Sequence, residues 1–194
     1  MDAIAGLTVK KSGDQGVNNK GTFVASNVKI DGTAKNGIYN NKGTATVNGL
    51  TISNTGEHGV SNEGTMTASS IDISDTGAGK NGIQNKGTLT INGVAIDSSK
   101  NHGFYNAGTV TAKGNVEITN SEVNAVYNYQ GEFKAEKVVA DVTGEHGINN
   151  AATLEIGTVK VTSAGQNSIQ NSGDMTVSES AVLNDSGKHG IYKQ

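Results

Sequence analysis

The stretch "NGIYNNKGTATVNGLTISNTG", Asn36 to Gly56, decides the fold because the chain keeps rewriting it. "KNGIYNNKGT" from Lys35 returns as "KNGIQNKGT" from Lys80. Looser copies are "HGVSNEGT" from His58, "HGFYNAGT" from His102 and "HGINNAAT" from His146. Aligned on an apolar anchor, usually just after a Gly, the copies fall at Val17, Ile38, Val60, Ile83, Phe104, Val126, Ile148, Ile169 and Ile191. The steps are 21, 22, 23, 21, 22, 22, 21 and 22 residues. A fixed period this short is the signature of a solenoid.

Each unit reads in three pieces. The anchor piece is "GIYN" at Gly37 to Asn40. A second piece follows Gly-Thr: "TATV" from Thr44, "TMTA" from Thr65, "TLTI" from Thr88, "TVTA" from Thr109. The third is "LTI" from Leu50, "IDI" from Ile71, "VAI" from Val94, "VEI" from Val116 and "VKV" from Val159. Apolar and polar residues alternate in both, the period of a strand with one buried face. Gly, Asn, Asp and Ser fill the connections, as turns require. No segment sustains a helical period.

Three short strands per coil of about 22 residues predict an all-β, right-handed parallel β-helix of about nine coils, residues 1–194 forming one segment. At roughly 4.8 Å per coil the rod would be of the order of 40 Å long. A leucine-rich repeat would need far more than the five Leu present. Left-handed hexapeptide helices use a shorter coil. The expected inward columns are the anchors, then Ala45, Met66, Leu89, Val110, Phe133, Leu154 and Met175 beside Val47, Ala68, Ile91, Ala112, Ala135, Ile156 and Val177. Leu50, Ile71, Val94, Val116 and Val159 lead the third strand. "SESAVLND", Ser178 to Asp185, fits two registers.

Composition narrows the function. The chain holds 15 basic and 18 acidic residues, a net charge of −3, and every basic residue is Lys. Near-balanced charge without Arg offers no electrostatic footprint for nucleic acid and no bidentate phosphate reader. The absence of Cys removes thiolate chemistry and disulfides. No apolar run is long enough to cross a bilayer as a helix, so direct membrane insertion is not expected of this segment.

Two residues after each anchor stands Asn: Asn19, Asn40, Asn62, Asn85, Asn106, Asn128, Asn150 and Asn171. Strand parity turns this position inward, so its amides are expected to bond from coil to coil and to tolerate a left-handed turn. Two residues before an anchor stand His58, His102, His146 and His189, alternating with Asn36, Asn81, Asn124 and Asn167. Successive histidines, two coils or roughly 9.6 Å apart, cannot share a zinc ion. They read either as turn residues interchangeable with Asn or as surface groups titrating near neutrality. One residue after an anchor, pointing outward, come Tyr39, Tyr105, Tyr127 and Tyr192. A ring with a hydroxyl suits contact with protein or glycan.

Outward Thr pairs recur in four consecutive coils, from Thr44 and Thr46 to Thr109 and Thr111. Such an array resembles an ice-binding face, but Glu132, Lys134, Glu155 and Asp174 then interrupt it. No nucleophile elbow, zinc-binding His pair, P-loop or dinucleotide fingerprint occurs. Asp72, Asp75 and Asp97 read as solubilising charges. No catalysis, cofactor or metal is therefore expected.

The coil "NGIYNNKGTATVNGLTISNTG" resembles those of autotransporter passenger domains, long right-handed parallel β-helices of the pectin-lyase-like kind on the surface of Gram-negative bacteria. Its Asn-rich, Lys-rich, Arg-free character is similar to that of the very long fusobacterial adhesins of that class. The resemblance runs from "GLTV" at Gly6 to "GIYKQ" at Gly190. It implies a fragment of a longer passenger, at the outer membrane's extracellular face or secreted. The implied role is a rigid stalk that binds host protein or glycan and associates with further copies. A polysaccharide-acting β-helix enzyme, a plain structural spacer and an ice-binding β-helix are the alternatives.

Overall fold

The computed structural model describes residues 3–194. Nine long strands, from Ile4–Ser12 to Asp174–Ser186, lie side by side in chain order as one sheet. Nine strands of three residues, from Val17–Asn19 to Ile191–Lys193, form the second. Every pairing is parallel, and equivalent residues meet: Ile38 pairs with Val60, and Val60 with Ile83. No helix occurs among the described residues. The chain is a parallel β-solenoid.

The second and third pieces of each unit join as one bent strand. In Thr44–Thr55, Ala45, Val47, Leu50 and Ile52 are all buried. Val47 and Leu50 are three residues apart, so a straight strand would send them to opposite faces. The chain turns a corner at Asn48–Gly49, where Gly49 has φ 82°. Three strands per coil thus share two hydrogen-bonded sheets. Where the corner holds extra residues, the ladder slips, as between Ala112 and Asn115.

A sharper corner closes the third piece. Lys11, Gly32, Asn54, Asp75, Ser98, Asn120, Val142, Ser163 and Asp185 all have positive φ there, between 49° and 71°. The left-handed turn expected at the inward Asn column lies instead in this corner. The Asn residues themselves end extended three-residue strands.

The core is one continuous cluster. The anchors from Ile38 to Ile169 are buried, and Phe104 and Phe133 meet edge to face with ring centres 5.2 Å apart. Each fully buried Ile, Leu or Val contributes about 1.5–3 kcal/mol. The terminal coils have a neighbour on one side only, which leaves Val17 half-buried and Ile191 62% exposed. Val28, Ile30, Val138 and Ala140 complete the third-strand column. In the ambiguous ninth long strand, Val159 pairs with Ala181 and Val161 with Leu183, so Ala181 and Leu183 take the core register. Val182 faces solvent.

One glycine column is a steric requirement. A Cβ at Gly37 would stand 2.6 Å from Ile52 Cγ2 and 2.7 Å from the Gly59 carbonyl oxygen. Gly59, Gly82, Gly103 and Gly147 are equally crowded by Ile73, Ile96, Ile118 and Val161. In the one buried coil with Ala there, Ala125, the opposing position is Ala140. A methyl on one side is matched by a smaller residue on the other.

Candidate functional site

The three-residue strands position every residue singled out for contact, in three parallel rows. The innermost row is an amide ladder. Nδ2 of Asn40 donates to Oδ1 of Asn62 at 2.8 Å, and Asn62 donates likewise to Asn85 at 2.8 Å. The same bond, at 2.8–2.9 Å, joins Asn19 to Asn40, Asn85 to Asn106, Asn106 to Asn128, Asn128 to Asn150 and Asn150 to Asn171. Each of these seven donors also reaches a backbone carbonyl, as Asn40 does to Gly43 at 3.0 Å and Thr65 at 3.1 Å. Amides bonded on all sides are structural; they have nothing left to offer a ligand.

The second row joins the His and Asn positions into another ladder. Here the side chain accepts the backbone N–H of the next coil, except at His102, whose Nδ1 meets the side-chain amide of Asn124 at 3.3 Å. Oδ1 of Asn36 accepts from His58 at 3.0 Å, and Nδ1 of His58 accepts from Asn81 at 2.9 Å. Oδ1 of Asn81 accepts from His102 at 3.2 Å, and Oδ1 of Asn124 accepts from His146 at 3.0 Å. Nδ1 of His146 accepts from Asn167 at 3.2 Å, and Oδ1 of Asn167 from His189 at 3.2 Å. Gln15 starts the row, its Oε1 accepting from Asn36 at 2.9 Å. Asn and neutral His are interchangeable because both place an acceptor at this reach.

For His58, His102 and His146 these contacts favour the turn residue interchangeable with Asn over the surface group titrating near neutrality. Burial pushes the His58 pKa down to about 4, with the positive charges of Lys80 and Lys86 adding to the shift. Burial alone pushes His102 down to about 4. His146 is also lowered, chiefly by burial. At pH 7 these three rings are neutral.

The outermost row carries the tyrosines, and the structure divides them. Tyr105 and Tyr127 pair across adjacent strands with ring centres 5.6 Å apart. His102 lies 5.0 Å from Tyr127 and 6.1 Å from Tyr105. Tyr129 completes the group, stacked on Tyr105 at 6.0 Å and 49% exposed. The sequence reading passed over Tyr129; its signal was a residue inserted before Gly131, where most coils run from Asn straight towards Gly. Tyr39 stands apart, its hydroxyl donating to Glu63 at 3.0 Å. Tyr192 stacks only on His189, at 5.5 Å. The separated column of tyrosines is therefore one cluster plus two outliers.

The other expected features are less concentrated. The Thr pairs stack in register from Thr44 and Thr46 to Thr109 and Thr111, then meet Glu132 and Lys134. Lys134 lies 2.9 Å from Glu132 and 3.4 Å from Glu155, so the interruption is an ion-pair cluster. It borders an open groove along the strand bend, with Lys113, Lys137, Glu136 and Glu179. Asp97 accepts from Asn120 at 2.7 Å and Thr119 at 2.8 Å, bonds that hold its carboxyl below the usual range. Asp75 is a left-handed corner residue.

In comparisons with known proteins, no family model, no curated protein and no solved structure matched the chain.

Proposed function

We propose that this chain is a load-carrying segment of a cell-surface adhesin of the autotransporter passenger kind, a stiff rod whose short-strand face contacts host protein or glycan. The observation behind the reading is the unbroken register of two nine-stranded sheets, backed by an amide ladder through eight coils. Identical joints bonded in both directions resist bending and sliding, because any slip breaks many hydrogen bonds together. A rod of this kind holds whatever lies beyond it at a set distance from its anchor. The role is non-catalytic, with the protein outside the cell, at the outer membrane's outer face or released.

The contact part of the reading is supported by the grouping of His102, Tyr105, Tyr127 and Tyr129 on one outer face. Clustered aromatic rings with free hydroxyls are the composition of protein-binding and saccharide-binding surfaces. The test compares adhesion of cells displaying the parent protein with three forms: intact, lacking these coils, or carrying them with Tyr105, Tyr127 and Tyr129 replaced by Ser. Lost adhesion in both altered forms supports contact. Loss in the shortened form alone leaves only the stalk. Unchanged adhesion in both removes the adhesin reading.

A further inference from the structure

Between the strands of Ile83 and Phe104 the short-strand face dips into a shallow groove. Lys80 and Lys86 stand on its rim, the amides of Gln84 and Asn101 line it, and Tyr105 forms one wall. Its lining contains two lysines and no carboxylate, on a chain whose net charge is −3. The groove in the strand bend, by contrast, mixes lysines with three glutamates. Lys80 has no ion-pair partner among the described residues, and Lys86 reaches Glu63 only at 3.5 Å.

We propose that this groove is a binding site for a carboxylated saccharide, a pyranose of the uronic or sialic acid kind. The chemistry divides among the residues. The tyrosine group of Tyr105, Tyr127 and Tyr129, with Tyr129 49% exposed, offers apolar ring surface to the C–H side of a pyranose. Gln84 and Asn101 each carry both donors and an acceptor, which suits a row of sugar hydroxyls. Lys80 and Lys86 supply the positive charge that a carboxylate seeks, and neutral His58 and His102 add none at pH 7. Tyr127 and Tyr129 extend the aromatic wall along the rod, room for a second sugar. A local positive patch on an acidic chain draws an anionic ligand to this spot in preference to the rest of the surface.

This rests on the reading of the short-strand face as the contact surface, and its failure is separable from failure of that reading. The 194-residue chain is titrated with trigalacturonate, sialyllactose and neutral maltotriose while backbone amide resonances are followed. Either acidic sugar is expected to shift the signals of Lys80, Gln84, Lys86, Asn101 and Tyr105, and which one does so identifies the source. Lys80→Gln with Lys86→Gln should weaken binding by about tenfold or more, and added salt should weaken it in the unaltered chain. Tyr105→Leu should weaken it while the spectrum elsewhere stays intact. Equal binding of maltotriose, an unchanged affinity in the double lysine variant, an equal response to a hexaglutamate peptide, or no shift with either acidic sugar would each overturn the site. If the sugars fail while Tyr105 substitution still abolishes cell adhesion, the contact reading stands and the saccharide assignment falls.

Discussion

Nδ1 of His58 accepts the backbone N–H of Asn81, one coil further along the rod, at 2.9 Å. A protonated imidazole carries hydrogen on both ring nitrogens and cannot make that bond.

Acid should therefore loosen the solenoid. The folded pKa of His58 and of His102 is about 4, below the ordinary 6.5 that the unfolded chain adopts. Between these values the unfolded state binds protons that the folded state refuses. Stability is fully present above about pH 6.5 and is lost as pH falls towards about 4. Thermal or urea melts across this range should show the decline. His58→Asn with His102→Asn should keep stability at pH 7 and flatten the curve, since Asn already fills this row in alternate coils. An unaltered slope in that variant would exclude the two rings as its source.

Removing one rung of the amide ladder should cost more than one bond. Asn85→Ala takes away the acceptor of Asn62 and the donor to Asn106, leaving buried groups on both sides unpaired. The expected loss is about 1–3 kcal/mol per stranded group, read from urea denaturation. Asn41→Ala, beside the ladder but outside it, is the comparison and should change little.

The glycine column should show size coupling. A methyl at Gly82 would lie 2.5 Å from Ile96 Cγ2 and 2.7 Å from the Gly103 carbonyl oxygen. Gly82→Ala should destabilise the chain, by roughly 1–3 kcal/mol for overpacking. Gly82→Ala with Ile96→Ala should cost less than the two single changes added together, because it reproduces the Ala125 and Ala140 pairing. Strict additivity in a double-mutant cycle would refute the match.

Val142 is the one β-branched residue in the left-handed corner, with φ 49° and 52% of its surface exposed. Its Cβ meets the steric penalty of that region without compensating burial. Val142→Gly or Val142→Asn should raise stability by about 1 kcal/mol, seen as a higher melting temperature. Lys11, Asn54 and Asn120 hold the same corner with residues that are unbranched at Cβ.

Much of the fold was legible because a solenoid repeats its physics. The anchors, the inward columns and the Asn row follow from residues recurring every 21 to 23 positions. The second ladder was only half legible. The alternation of His58, Asn81 and His102 was plain, but not that the side chains of His58 and Asn81 accept from the next coil's backbone, which depends on a distance across coils. The left-handed corner was misplaced. Lys11, Asp75, Ser98 and Val142 share no side-chain chemistry, and only backbone geometry unites them.

The candidate contact region shows the same division. Tyr105 and Tyr127 were found by their position after the anchor, while Tyr129 was not, because it stands in the turn after the Asn row, where other coils hold Asn41, Glu63, Lys86, Ala107, Ala151 and Ser172. Its ring meets Tyr105 because Val126–Asn128, which it follows, pairs with Phe104–Asn106. The sequence by itself determined the coil length, the buried faces and the Asn row, since period and polarity are local and repeated. Only the tertiary structure decided that His58 and His102 are neutral acceptors and that Lys80, Lys86 and Tyr105 border one groove. Protonation depends on burial, and a groove on neighbours from different coils, both set by how coils stack.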